Sequence, residues 1–187
     1  MGKGRLEAFS DGVIAIIITI MVLELKVPHG ASLESIEPLW PVFVSYVLSF
    51  INVGIYWNNH HHLVHSASNV KGGVLWANLH LLFWLSLLPF TTGWMGENHF
   101  APLPVALYGV VLSMAGIAYY ILVRALISAH GSQSEIASRV GGDFKGKISI
   151  AIYLAAVPLA FVNQWVALAM YAAVALIWFI PDRRFEK

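Results

Sequence analysis

Cysteine is absent and charge is scarce. The 187-residue chain has no Cys, which excludes disulfides, thiolate catalysis and Cys-zinc sites. Asp, Glu, Lys and Arg make up only 11% of it, against about 25% in soluble domains. That leaves no room for a separate soluble enzyme domain. No nucleophile–base pair, His-Glu-x-x-His zinc motif or phosphate-binding loop is present, so no enzyme is expected. The chain also lacks an internal repeat, a low-complexity tract and a pair of Gly/Pro-broken helices, which counts against a secondary transporter.

Hydrophobic residues are abundant, at 58%. They gather in six segments near the ~20 residues a spanning helix needs. These lie at about 6–27, 39–65, 72–93, 103–128, 145–163 and 165–181. Asn163-Gln164 is a weak break between the last two, which as one helix would give five spans instead. The charges favour six. With the N-terminus inside, Lys3, Arg5, Lys71, Arg124, Arg139, Lys145, Lys147, Arg183, Arg184 and Lys187 are cytoplasmic, and of the 11 cations only Lys26 is outside. The expected fold is an all-α integral membrane protein, one six-helix domain over residues 1–187, in the cell membrane with both termini cytoplasmic. The first span has acidic residues before its apolar run and no small-x-small cleavage site after it, so it is read as retained.

The first span also carries the costliest residue. An Asp at the centre of a membrane helix costs roughly 2.5–3.5 kcal/mol on insertion scales, and Asp11 sits at the head of the apolar run. At 100° per residue, Phe9, Gly12, Ile16, Thr19, Ile20 and Leu23 share one face. Asp11 falls nearly opposite, beside Ala15, Ile18 and Val22, and needs a protein partner there. His60, Asn59 and Arg5 are the candidates. The apolar row suits a pore, lipid or a neighbouring helix.

The second span bears a polar stripe, Ser45, Ser49, Asn52, Tyr56 and Asn59, at spacings of 4, 3, 4 and 3. Such a stripe reads as inter-helix hydrogen bonding. In the run His60 to His62 with His65, only His61 and His65 have the i, i+4 spacing for a shared metal ion, and no carboxylate accompanies them in the sequence. No metal site is expected. His80 reads as a buried hydrogen-bonding residue rather than a proton sensor. Gly109, Ser113 and Gly116 make a small-residue seam for close packing, and Pro89 and Pro158 are potential kinks.

Arg5-x-x-x-Phe9-Ser10-Asp11, opening the first span, resembles the signature of the transmembrane-protein-175 family of potassium channels. Trp57-x-x-His60 and Leu87-Leu88-Pro89-Phe90 add weaker matches. The resemblance runs from residue 5 to the C-terminus in helix count and order. It implies a homotetramer of six-helix units with helix 1 of each subunit lining a central pore. The family's constriction begins five residues after the motif Asp, at Ile16 here, with Ile20 and Leu23 as later rings. Thr19 matches a hydroxyl position linked to selectivity. Arg5, Phe9, Ser10, Asp11, Trp57, Asn59 and His60 would form the network behind the pore.

No Thr-Val-Gly-Tyr-Gly carbonyl filter is present. An apolar neck gates by dewetting and is crossed by partly hydrated ions, which favours K⁺ over Na⁺ modestly and excludes divalents. The expected partners are other copies of the chain, the bilayer and monovalent cations, with no nucleic acid and no cofactor beyond permeant K⁺. Animal members of the family also pass protons, so a proton channel using Asp11, His60 and His80 is one alternative. A secondary cation transporter is the other.

Overall fold

The computed structural model describes residues 2–67, 70–131, 134, 137 and 143–179. It is helical: α1 (Lys3–Leu23), α2 (Trp40–His65), α3 (Gly72–Ser86), α4 (Leu88–Glu97), α5 (Pro102–His130), α6 (Phe144–Leu159) and α7 (Gln164–Phe179), with two short 3₁₀ turns before α2. Four stretches are long and apolar enough to cross a membrane: Lys3–Leu23, Leu33–His65, Gly72–Glu97 and Pro102–His130. Helices α6 and α7 have 16 residues each. At 1.5 Å per residue they run roughly 24 Å, short of a ~30 Å hydrocarbon core.

The expected third span is two helices. Pro89 has no N–H to donate, so the helix is interrupted at Leu87 and restarts with Pro89 in the first turn of α4. The break at Asn163 is real. Its side-chain oxygen accepts from the backbone N–H groups of Trp165 (3.0 Å) and Val166 (3.4 Å), capping α7. Six apolar helical segments therefore stand, the third divided, and among the described residues four of them reach membrane-spanning length. Arg139, Arg183, Arg184 and Lys187, four of the cations that set the expected orientation, lie outside the described residues.

Helix α5 forms the centre, packed by α3, α4, α6 and α7. Tyr108, Leu112 and Leu122 on it are fully buried. The small-residue seam on α5 has direct neighbours: a Cβ at Gly109 would collide with the Tyr171 hydroxyl, and one at Gly116 would lie 3.0 Å from Ile150 Cγ1. Helix α4 meets α2 as closely, since a Cβ on Gly96 would lie 2.7 Å from Val42 Cα. At the end of the bundle where α1 finishes, Lys26 Nζ pairs with Glu97 Oε1 at 2.8 Å, both exposed. The hydrogen bond to that carboxylate holds the Lys26 ammonium above its ordinary pKa.

Helix α1 lies on the outside of this bundle, against α2, α3 and α4. Only Leu6, Ser10, Ile14, Ile17 and Met21 are buried, a stripe one residue wide.

Candidate functional site

The site is built on the two sides of α1. Its outward row is uncovered: Phe9, Ile16, Ile20 and Leu23 are 51%, 59%, 42% and 75% exposed. Gly12 and Thr19 are exposed with them. The Thr19 hydroxyl donates to the Ala15 carbonyl at 2.9 Å, which leaves its oxygen lone pairs on the outward face.

The inward side carries the polar groups. Ser10 is fully buried, whereas Asp11 is half-buried at the edge of the contact. Trp57 Nε1 donates to Asp11 Oδ1 at 2.9 Å. The carboxylate thus bonds to the indole, and not to the His60, Asn59 or Arg5 side chains that the sequence offered. Asn59 donates to the Ile55 carbonyl of its own helix. Arg5 is exposed, without an ion-pair partner among the described residues.

His60 serves Ser10 instead. Its Nε2 lies 2.7 Å from Asn78 Oδ1, and Asn78 Nδ2 donates to Ser10 Oγ at 2.9 Å. Ser10 Oγ then donates to the Leu6 carbonyl at 2.8 Å. With Asn78 oriented this way, His60 Nε2 carries the proton. Every polar side chain in this buried run has a partner, as a low-dielectric setting demands. Asn78 is the residue that sequence reasoning missed. Its signal was a lone amide inside the apolar run of α3, four residues after Val74 and three before Leu81.

The polar stripe of α2 bonds across helices. Ser49 Oγ meets Thr92 Oγ1 at 2.6 Å and donates to the Tyr108 hydroxyl at 3.0 Å. The Tyr153 hydroxyl donates to Asn52 Oδ1 at 3.2 Å. Ser45 and Asn59 instead donate to the Pro41 and Ile55 carbonyls of their own helix, and Tyr56 meets α5 through its ring. His80 is half-buried and accepts from Trp84 Nε1 at 3.0 Å.

His61 and His65 continue the Trp57 ring outward. His61 stacks between Trp57 and His65, with centroids 6.0 and 5.8 Å apart. A carboxylate does accompany this cluster, contrary to the sequence reading: Glu7 Oε1 lies 3.9 Å from His65 Nδ1. Glu7 precedes Asp11 by one turn, so the contact that joins Asp11 to Trp57 also brings Glu7 to the end of α2. Among the described residues no group of three or more His, Asp or Glu is arranged to hold a metal ion.

The family profile described as endosomal/lysosomal potassium channel TMEM175 matches residues 5–89. A protein of Chryseobacterium sp. (strain P1-3) named as a potassium channel is 56% identical over 187 residues, covering 100% of this chain and 97% of that one. The TMEM175 of Gallus gallus, named as an endosomal/lysosomal proton channel, is 37% identical over 75 residues, 34% of this chain and 15% of that one. The crystal structure of a lysosomal potassium-selective channel TMEM175 homolog from Chamaesiphon minutus superposes with a TM-score of 0.78 at 26% identity, covering 95% of this chain and 96% of that one.

Proposed function

Because the chain belongs to the TMEM175 family of ion channels, we propose that it conducts K⁺ through a pore lined by α1 from four identical subunits. The family is one of channels, not of enzymes. The single observation that carries the pore reading is the uncovered row Ile16, Thr19, Ile20 and Leu23 on a helix whose other side is pinned by polar bonds. A helix held in that way presents a fixed surface. Four such rows around an axis make a neck of branched side chains, stiff at χ1 in a helix.

Ile16 forms the narrowest ring, with Ile20 and Leu23 beyond it and Thr19 beside it. Such a neck resists wetting, and ions pass it with part of their hydration shell. K⁺ sheds water more readily than Na⁺, which gives modest selectivity, and Mg²⁺ is held back by its reluctance to dehydrate. No cofactor takes part; K⁺ is the cargo. The chain works in the cell membrane with both termini in the cytoplasm, an orientation supported by the cations Lys3, Arg5, Lys71 and Arg124 near one end of the bundle.

Proton conduction is the rival reading, and the name of the Gallus gallus relative favours it. Against it, the run His60–Asn78–Ser10 ends at the Leu6 carbonyl inside the subunit. The test is reconstitution in planar bilayers. A reversal potential that follows the K⁺ gradient, and shifts toward K⁺ under bi-ionic K⁺/Na⁺ conditions, is the expected result. A reversal potential that follows only the pH gradient overturns it.

A further inference from the structure

A second site lies behind the pore helix. Between α2, α5, α6 and α7 is a cavity of ≈ 40 Å³ lined by the rings of Tyr56, Tyr119, Tyr120, Tyr153 and Trp178. Room for one water takes about 10–15 Å³ by this measure, so the space holds about three waters or one group of a few heavy atoms. Gly116 lines it without a side chain; a Cβ there would lie 3.0 Å from Ile150 Cγ1 and in ordinary contact, 3.6 Å, with the Tyr56 hydroxyl.

The lining offers acceptors and ring faces. The Tyr119 hydroxyl donates to the Asn59 carbonyl and the Tyr153 hydroxyl to Asn52 Oδ1, each at 3.2 Å. Their donors are used and their oxygen lone pairs are left. The Tyr56 hydroxyl has no hydrogen-bond partner among the described residues, although its ring packs edge-on against Tyr119. Asp143, ahead of α6, has the only carboxylate among the described lining residues, and its Oδ1 accepts from the Gly146 N–H at 3.2 Å. An anion meets that carboxylate, and an apolar guest leaves the acceptors without donors. A cation with N–H groups satisfies both, and aromatic faces attract cations. The chain itself supplies an example at this wall: Lys145 Nζ lies 5.9 Å from the centroid of the Trp178 ring.

We propose that this cavity binds a small organic ammonium ion, of methylammonium size, that enters past Asp143 from the end of the bundle where α6 begins. Tyr56 and Asn59 lie on the same turn of α2 as Trp57 and His60, so the bound ion touches the turn that holds α1. Binding is independent of which ion the pore conducts.

The natural absence of cysteine makes the test direct. Ser149 lines the cavity, and Ser149→Cys in the full-length reconstituted protein is labelled with 2-aminoethyl or 2-sulfonatoethyl methanethiosulfonate and followed by intact-mass spectrometry. The cationic reagent is expected to react about tenfold faster, the equivalent of one partly desolvated cation–π contact. Excess methylammonium chloride slows it, potassium chloride at the same concentration does not, and Asp143→Asn removes the preference. Equal rates for the two reagents overturn the proposal, as does protection by K⁺ equal to that by methylammonium. Labelling only by neutral methyl methanethiosulfonate also overturns it, since the cavity is then filled by lipid. Tyr120→Cys gives the same readout should Ser149→Cys fold poorly.

Discussion

Asp11 and Ser10 are neighbours in sequence with separate tasks. Asp11 accepts one hydrogen bond from an indole at the edge of the α1–α2 contact, and Ser10 is sealed inside a three-residue chain. A hydrogen bond to a charged group contributes about 1.5–3 kcal/mol. Asp11→Ala and Trp57→Phe should each destabilise the subunit by about that much. The double variant should cost little more than either alone, because the two side chains share one bond. Thermal unfolding of all four proteins in detergent checks this; fully additive losses would mean the pair acts independently. Ion preference should change less than stability in Asp11→Ala, since the carboxylate faces away from the outward row. Asn78→Ala should be worse than Asp11→Asn, because it strands both His60 and Ser10 in the interior. The indole donor was hard to read from sequence. The helical wheel identified the face that needed a partner, but a Trp in a membrane span is read first for its ring, and its single N–H gives no periodic pattern. Asn78 escaped for the same reason.

At the scale of elements, hydropathy was enough to locate the six apolar segments, four of which meet the minimum apolar length that a lipid core sets. It could not show that the third span breaks at Leu87, because the residues on both sides of Pro89 are equally apolar. Close approach was legible only where glycine recurred, as along α5; the contact at Gly96 had no such repeat. Gly96→Ala should destabilise by about 1–3 kcal/mol, the usual result of overpacking, because the obstruction is the α2 backbone at Val42. Gly93→Ala, three residues earlier with nothing within 4 Å, should be neutral. Melting temperatures of the two variants decide it. The pore row is tested on α1. Ile16→Asn puts four amides at the neck, which hold water and ligate ions, so conductance should rise and K⁺/Na⁺ discrimination should fall. Ile20→Asn should do less. An unchanged current and reversal potential for Ile16→Asn would assign that face to lipid or protein.

For the whole molecule the decisive quantity is the number of subunits. A lone copy leaves the row from Phe9 to Leu23 uncovered, and one helix encloses no pathway. Native mass spectrometry of protein purified in mild detergent should show four subunits; a population of monomers and dimers alone would remove the axis on which the pore reading depends. The sequence could not reveal this number by composition, because lipid and a neighbouring subunit both accept an apolar row. Only the resemblance carried it.

Two of the bonds that fasten α1, beside the one from Lys3 Nζ to the His65 carbonyl, have a mechanical consequence. Ser10 and Asp11 are successive residues, so their attachment points lie about 100° apart around the helix circumference, one tied to α3 through Asn78 and the other to α2 through Trp57. A single bond would act as a hinge and let the helix spin. Two at that angle oppose torque in both directions. Turning Ile16 out of line therefore means breaking both at once, at about 1.5–3 kcal/mol for the bond to the Asp11 carboxylate and about 0.5–1.5 kcal/mol for the neutral bond to Ser10. On the pore reading proposed above, opening by a twist of α1 alone is thereby disfavoured. The movement left to the helix is a tilt or shift in company with α2 and α3, or no movement at all and a change only in whether water fills the neck.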